Sequence, residues 1–182
     1  MIGQLAGEPH PRPAWIVCGA GTGGTSATIG RYLRYRGLDT RLCVAEPAGG
    51  AFAHGWRERD PRATADKSTL IEGIGRPRAE PGFTFDVVDA VVEVEDAESI
   101  SAAWLLEEVF GRRYGGSSGT NLAGCLRLAE AMRERGEVGS IATLLCDRGE
   151  RYTETLFDRG WLAAHGIDPE PGRARLSARL RD

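Results

Sequence analysis

A dense run of glycines and hydroxyl side chains lies near the start of the chain, GAGTGGTSATIG over residues 19–30. It separates a short apolar run from an amphipathic one, as does a loop that joins a buried strand to a helix. The first N–H groups of a helix have no partner within the helix and carry partial positive charge, so they bind anions. Thr22, Thr25 and Ser26 add hydroxyl donors, and we predict a phosphate site. A tight turn whose glycines serve packing is the alternative.

Two kinds of phosphate ligand fit this loop. Gly19, Gly21 and Gly24 satisfy the G-x-G-x-x-G pattern of dinucleotide-binding folds. Glu46 follows about 20 residues later, where such folds place a ribose-binding acid. A nicotinamide-binding Rossmann domain is therefore one hypothesis. The abundance of hydroxyls favours a terminal phosphate over a pyrophosphate.

The spacing of apolar residues predicts the elements that position this loop. Strands are expected at 14–18, 41–45, 87–94 and 140–146, and helices at 26–36, 97–112, 121–135 and 154–165. Strands that alternate with helices through short connections are parallel neighbours. The fold class is therefore α/β, with a mostly parallel sheet flanked by helices.

The domain organisation follows from composition. We expect an N-terminal segment at 1–13, an α/β domain at 14–166 and a C-terminal tail at 167–182. Residues 47–82 mix glycine, proline and charge, which predicts loops and short pieces. Asp96 is a predicted N-cap. The basic stretch Arg173–Arg181 is expected to be a solvated tail.

Four segments in order along the chain carry a family resemblance: GAGTGGT, EGIG, GGSSGTN and TLLCDRGERY. Together they resemble the cysteine synthase group of pyridoxal-phosphate (PLP) enzymes, which share the tryptophan synthase β fold. The resemblance covers about residues 15–161 and implies the large lobe of this type II PLP fold, truncated at the N-terminus. The phosphate cup that it implies consists of Gly21, Thr22, Gly23, Gly24 and Thr25.

The resemblance also implies contacts to the rest of the cofactor. Ser117 matches the serine whose hydroxyl meets the pyridine nitrogen, although a helix cap is the alternative for this residue. The loop of Gly73, Ile74 and Gly75 matches the one on the substrate side of the cofactor. Just after it, Arg76 and Arg78 place positive charge that either recruits an anionic substrate or faces solvent.

The lysine that carries PLP as a Schiff base in this family precedes the region that the chain resembles. Lys67 is the only lysine, and its polar surroundings, ATADKSTL, predict a surface position. No catalytic residue is therefore assigned. We favour a C-terminal fragment of a longer enzyme, in which Met1 is an internal methionine. A split enzyme completed by a separate N-terminal lobe chain and a noncatalytic module that binds phosphate or a partner are the alternatives.

The resemblance implies removal of a β-substituent from a small amino-acid substrate. Cysteine synthesis from O-acetylserine and sulfide is one such reaction, and cysteine desulfhydration to pyruvate, ammonia and sulfide is the other. The two remain open at this point. The complete enzyme is expected to be a homodimer.

Composition and charge limit the other classes of function. The net charge of −3 argues against nucleic acid as a partner, because phosphate binding leaves a basic footprint. No apolar run approaches the ~20 residues of a membrane span, and no signal-peptide pattern is present, so a cytoplasmic protein is expected. Cys18, Cys43, Cys125 and Cys146 form no C-x-x-C pair, which predicts buried free thiols and no metal site.

Overall fold

The computed structural model describes residues 2–180, so Met1, Arg181 and Asp182 lie outside the described residues. Four parallel strands form one sheet in the order β3-β2-β1-β4. Their bounds are β1 Trp15–Gly19, β2 Arg41–Pro47, β3 Ala90–Val94 and β4 Ile141–Thr143. The predicted α/β class with a parallel sheet flanked by helices is confirmed.

Six α-helices accompany the sheet within residues 2–180. They are α1 Gly24–Tyr35, α2 Ala51–Glu58, α3 Asp96–Phe110, α4 Gly116–Glu134, α5 Arg159–Ala164 and α6 Pro169–Arg179. Short 3₁₀ turns lie at Ile2–Leu5, Phe85–Val87 and Gly149–Tyr152. Every helix within the described residues is too short or too polar to cross a lipid bilayer.

The central strand β1 is buried on both faces. Ile16 and Cys18 point to one face, where they pack with Leu33 of α1 and Phe52 of α2. Its remaining apolar side chains point to the other face and pack with Leu128 and Met132 of α4. Helices α3 and α6 form a further layer outside α4.

The close packing of α3 on α4 requires glycine at one position. A Cβ on Gly119 would overlap the backbone oxygen of Ser99 in α3. Beside this contact, the hydroxyl of Thr120 donates a hydrogen bond to the Ser99 hydroxyl at 2.8 Å. The first turn of α4 is therefore locked to α3 by backbone contact.

The expectation of a solvated C-terminal tail is wrong for the described residues. Residues 169–179 form α6, whose Leu176 is buried against α3 and α4. Arg179 pairs with Glu130 at 2.8 Å and with Glu98 at 3.6 Å. A single buried leucine among arginines gives a weak apolar pattern, which explains the error.

Several predicted boundaries are also wrong. Helix α4 begins five residues before the predicted start at 121, so the SSGTN sequence forms its first turns. The strand predicted at 140–146 extends only over 141–143 and is partly exposed, because it lies at the sheet edge. The helix predicted at 154–165 begins only at Arg159.

The long segment after β2 contains α2 and then irregular chain that is held by specific bonds. Asp96 does not cap α3, whose N-cap is Glu95. The carboxylate of Asp96 instead accepts hydrogen bonds from the Thr69 hydroxyl at 2.6 Å and from the Leu70 N–H at 2.7 Å. This anchor fixes the position of the 72–76 loop beside the carboxyl end of the sheet.

Candidate cofactor site

A cavity of about 720 Å³ lies at the carboxyl ends of β1 and β4. Four parts of the chain line it: the end of β1 with the glycine loop that follows, the 72–76 loop, the start of α4, and the segment after β4. These are Cys18, Gly19, Gly21, Thr22, Thr25, Glu72, Gly73, Ile74, Arg76, Ser117, Leu144, Leu145, Cys146, Asp147, Arg151 and Tyr152. Parallel strands bring these loops to one edge, which is where ligands of such sheets bind.

The start of α1 presents free donors to this cavity. Gly23 is the N-cap, with φ of 84°, and its carbonyl accepts the N–H of Ala27 at 2.9 Å. The N–H groups of residues 24–26 precede that bond and have no acceptor within the helix. The exposed hydroxyls of Thr22 and Thr25 line the cavity. Ser26 contributes no donor there, because its buried hydroxyl donates to the Gly23 carbonyl at 3.0 Å.

The glycine loop after β1 and the 72–76 loop contact each other through Gly21 and Gly73, which have no side chains. A Cβ on Gly21 would overlap the carbonyl oxygen of Gly73. Gly73 and Gly75 have φ of 86° and 70°, a left-handed conformation that glycine adopts without strain. The Gly75 N–H donates to the Ala20 carbonyl at 3.3 Å, which ties the two loops together.

The start of α4 offers a pair of serines with different environments. Ser117 lines the cavity, and its hydroxyl has no hydrogen-bond partner among residues 2–180. Ser118 is fully buried, and its hydroxyl oxygen accepts the N–H of Cys146 at 2.9 Å. The amide of Asn121 donates to the Leu144 carbonyl at 3.0 Å. These bonds fix the segment after β4 on the first turns of α4.

Two acidic side chains of the cavity already have partners. The Tyr152 hydroxyl donates to Asp147 Oδ2 at 2.8 Å, and burial together with this carboxylate raises the pKa of Tyr152 to about 12. Asp147 Oδ1 is buried and has no hydrogen-bond partner within residues 2–180. Glu72 pairs with Arg151 at 3.4 Å, and both side chains are largely exposed.

The structure brings together six of the nine residues that the sequence singled out. Those that line the cavity are Gly21, Thr22, Thr25, Gly73, Ile74 and Ser117. Gly23, Gly24 and Gly75 shape the loops and do not line it. The sequence assigned no role to Asp147 or Tyr152, although both lie in the CDRGERY segment that it singled out. Their position after a strand was the available signal.

Lys67 lies away from the cavity, on the surface as expected. Its side chain is 60% exposed, and its ammonium pairs with Glu95 at 3.5 Å. The four thiols divide differently from expectation. Cys18 and Cys43 are buried as predicted, and Cys125 is half-buried. Cys146 is exposed, so the prediction is wrong for that residue. No group of three or more His, Cys, Asp or Glu residues within the described chain is arranged to hold a metal ion.

Glu46 cannot serve as the ribose-binding acid of a dinucleotide site. Its side chain is 1% exposed, and its two carboxylate oxygens accept the N–H groups of Phe52 at 2.9 Å and Ala53 at 2.6 Å. Burial raises the pKa of Glu46 to about 7 against the opposing effect of these bonds. The carboxylate therefore caps the start of α2, and the nicotinamide hypothesis is not favoured.

The site and fold together define the class of protein. Residues 2–147 match the family of pyridoxal-phosphate dependent enzymes, and the chain belongs to that family. PLP is the cofactor of this family. The cavity fits it, because unpartnered N–H and hydroxyl donors lie at one end and the Ser117 hydroxyl lines the same cavity.

Within this family, the chain is similar to several enzymes of cysteine and cystathionine metabolism. The chain is 51% identical to the L-cysteine desulfhydrase Cds1 of Mycobacterium tuberculosis, over 95% of this chain and 47% of that protein. It is 30% identical to cysteine synthase 2 of Schizosaccharomyces pombe, over 85% of this chain and 41% of that protein. It is 31% identical to a cystathionine beta-synthase of Dictyostelium discoideum, over 85% of this chain and 30% of that protein. The chain thus spans less than half the length of these relatives.

Proposed function

We propose that this chain is the cofactor-binding half of a PLP-dependent enzyme that acts on the β-carbon of cysteine or a serine derivative. The observation that carries the proposal is the cavity onto which the starts of α1 and α4 both open, with the hydroxyls of Thr22, Thr25 and Ser117 in its wall. When bound, PLP supplies an electron sink for breaking bonds of an amino acid.

The residues at the start of α1 bind the phosphate in this proposal. The N–H groups of residues 24–26 donate to the phosphate oxygens, and Thr22 and Thr25 add hydroxyl donors. The partial positive charge at the helix start stabilises the dianion in the same place. Gly21 and Gly73 carry no side chains and both line the cavity, so the backbone of both loops would be accessible to a bound ligand.

Ser117 sets the character of the cofactor ring in this proposal. Its neutral hydroxyl would hold the pyridine nitrogen without protonating it, and a cofactor held in this way would suit β-elimination and β-replacement. In this proposal the loop of Gly73, Ile74 and Gly75 would lie on the substrate side of the cofactor.

Desulfhydration of L-cysteine is the reaction we favour for the complete enzyme. The chain is 51% identical to the desulfhydrase relative and 30% identical to the cysteine synthase, and this difference supports desulfhydration. Cysteine synthesis is the second candidate reaction because of the similarity to the synthase. Sulfide release from L-cysteine, compared with sulfide consumption in the presence of O-acetylserine, separates the two. The only lysine, Lys67, is paired on the surface. We therefore expect the lysine that forms the Schiff base and transfers the proton to come from a lobe outside these residues. We also expect the complete enzyme to be a cytoplasmic homodimer.

Binding of a vitamin B6 phosphate to the chain tests the proposal directly. Pyridoxine 5′-phosphate is the probe, because it is fluorescent and lacks the aldehyde that would react with Lys67. We expect saturable binding that pyridoxine, which lacks the phosphate, does not reproduce. Replacing Thr25→Val weakens it, whereas Thr28→Val, one turn further along α1 and outside the cavity, serves as the matched control. Equal affinity for the two compounds would contradict a phosphate site.

A further inference from the structure

Arg76 is the cationic side chain of the cavity that has neither a hydrogen-bond nor an ion-pair partner among residues 2–180. Its Nε is buried and makes no hydrogen bond there. Its Nη2 lies 4.0 Å from the point where a Cβ on Gly21 would be. The guanidinium therefore lies beside the loop that leads into α1.

The other cation of the cavity is paired, because Arg151 lies 3.4 Å from Glu72. Asp147 accepts the Tyr152 hydroxyl through Oδ2, while its buried Oδ1 has no hydrogen-bond partner within residues 2–180. What remains is a cation beside the start of α1, where the helix adds partial positive charge of its own.

The backbone around Arg76 is held in place on both sides. Its carbonyl accepts the N–H of Ala51 at 3.0 Å, and the neighbouring Gly75 N–H donates to the Ala20 carbonyl at 3.3 Å. A side chain that begins from a fixed backbone loses less freedom when it binds a ligand. Arg78, two residues further on, pairs with Glu80 at 3.3 Å, and its side chain is 71% exposed.

We propose that Arg76 is an oxyanion-binding residue of this cavity, in addition to the phosphate cup. A planar guanidinium binds phosphate and carboxylate groups through paired N–H donors. The oxyanion is either the phosphate of the cofactor or the carboxylate of the amino-acid substrate. The inference rests on the proposed function and adds a charged specificity residue to it.

Three fluorescent ligands distinguish the two sources. Pyridoxine has neither group, pyridoxine 5′-phosphate has the phosphate, and phosphopyridoxyl-L-alanine has both the phosphate and an amino-acid carboxylate. Their affinities are measured for the wild type, for Arg76→Ala and Arg76→Lys, and for Arg78→Ala as the matched control. Circular dichroism of each variant checks that it is folded.

The expected loss in Arg76→Ala is about tenfold or more, as for one charge-assisted hydrogen bond. If the phosphate is the partner, both phosphorylated ligands bind more weakly by the same factor. If the carboxylate is the partner, only phosphopyridoxyl-L-alanine does. Arg76→Lys retains the charge without the planar pair of donors, so it recovers part of the loss.

Two other results have distinct meanings. If the wild type binds the phosphorylated ligands while Arg76→Ala and Arg78→Ala both remain within about twofold of it, the role of Arg76 is refuted and the proposed function stands. If the wild type binds pyridoxine as tightly as pyridoxine 5′-phosphate and the alanine adduct, the proposed function fails and the role of Arg76 with it.

Discussion

The contact between Gly21 and Gly73 gives the sharpest test of how the cavity is built. In Gly21→Ala the new Cβ would penetrate the Gly73 carbonyl oxygen by roughly 1 Å relative to ordinary contact. The obstacle is backbone, so no rotamer change relieves it. The 72–76 loop must move, although the Gly75–Ala20 hydrogen bond holds it to the same turn. Over-packing of this kind costs about 1–3 kcal/mol of unfolding free energy.

A neighbouring glycine provides the control with the opposite sign. Gly24 is the first residue of α1, and a Cβ there would have only the Thr22 hydroxyl oxygen nearby, at 3.9 Å. Its φ lies outside the left-handed region. Gly24→Ala is therefore expected to leave stability unchanged or raise it by about 0.4–1 kcal/mol, because alanine restricts the unfolded chain.

Urea unfolding followed by far-UV circular dichroism measures both variants against the wild type. The predicted difference in unfolding free energy between the two variants is about 1–4 kcal/mol, which is above the error of a midpoint comparison at constant slope. Titration with pyridoxine 5′-phosphate should also show weaker binding by Gly21→Ala. If the two variants have equal stability, the close approach of the two loops is not a feature of the molecule.

Three further predictions concern other groups around the sheet edge. Burial in the folded protein raises the pKa of Glu46 to about 7, so the folded state binds more protons than the unfolded state. The unfolding free energy of the protein should therefore fall by about 3 kcal/mol as pH rises from 4.5 to 7. In urea titrations Glu46→Gln should lack this pH dependence, and an unchanged pH dependence in that variant would contradict the prediction. Ser118→Ala should cost about 1–2 kcal/mol, since it leaves the Cys146 N–H without its acceptor, whereas Ser117→Ala should change thermal stability by less than about 0.5 kcal/mol. Equal costs would argue against this division of roles. Of the four cysteines, Cys146 should react fastest with a thiol reagent, and bound pyridoxine 5′-phosphate should slow that reaction. Cys18 is buried, which raises the pKa of its thiol to about 12, so it should remain unmodified. Rapid modification of Cys18 would refute this prediction.

The parts of the fold that were predicted correctly have strong local patterns. Continuous apolar runs at 14–18 and 41–45 are typical of strands buried on both faces, and both became central strands. Helix α2 was not predicted because its start depends on a side chain of the preceding strand, outside the segment 47–82. The carboxylate of Glu46 supplies acceptors for its first N–H groups, and no sequence pattern within 47–58 announces that.

The start of α4 was misplaced for a related reason. Glycine is unfavourable in helix interiors, so the GGSSGTN sequence did not predict a helix. Gly119 is nevertheless helical because the backbone of α3 passes too close for any side chain. The loops that the sequence singled out line one cavity, but the sequence did not show which hydroxyls face it. Ser26 turns inward to Gly23, and Ser118 turns to Cys146, because three-dimensional packing decides those rotamers.

Gly172 and Gly119, which lie where helices contact α3, differ in whether a second mutation can compensate for their replacement. A Cβ on Gly172 of α6 would overlap the side chain of Ser101, whose own Cβ would be 2.7 Å away. A second mutation, Ser101→Gly, would remove both obstructing atoms. At Gly119 the obstacle is the backbone oxygen of Ser99, which every amino acid possesses. A genetic suppressor screen should therefore recover compensating substitutions for Gly172→Ala at Ser101, and none at Ser99 for Gly119→Ala.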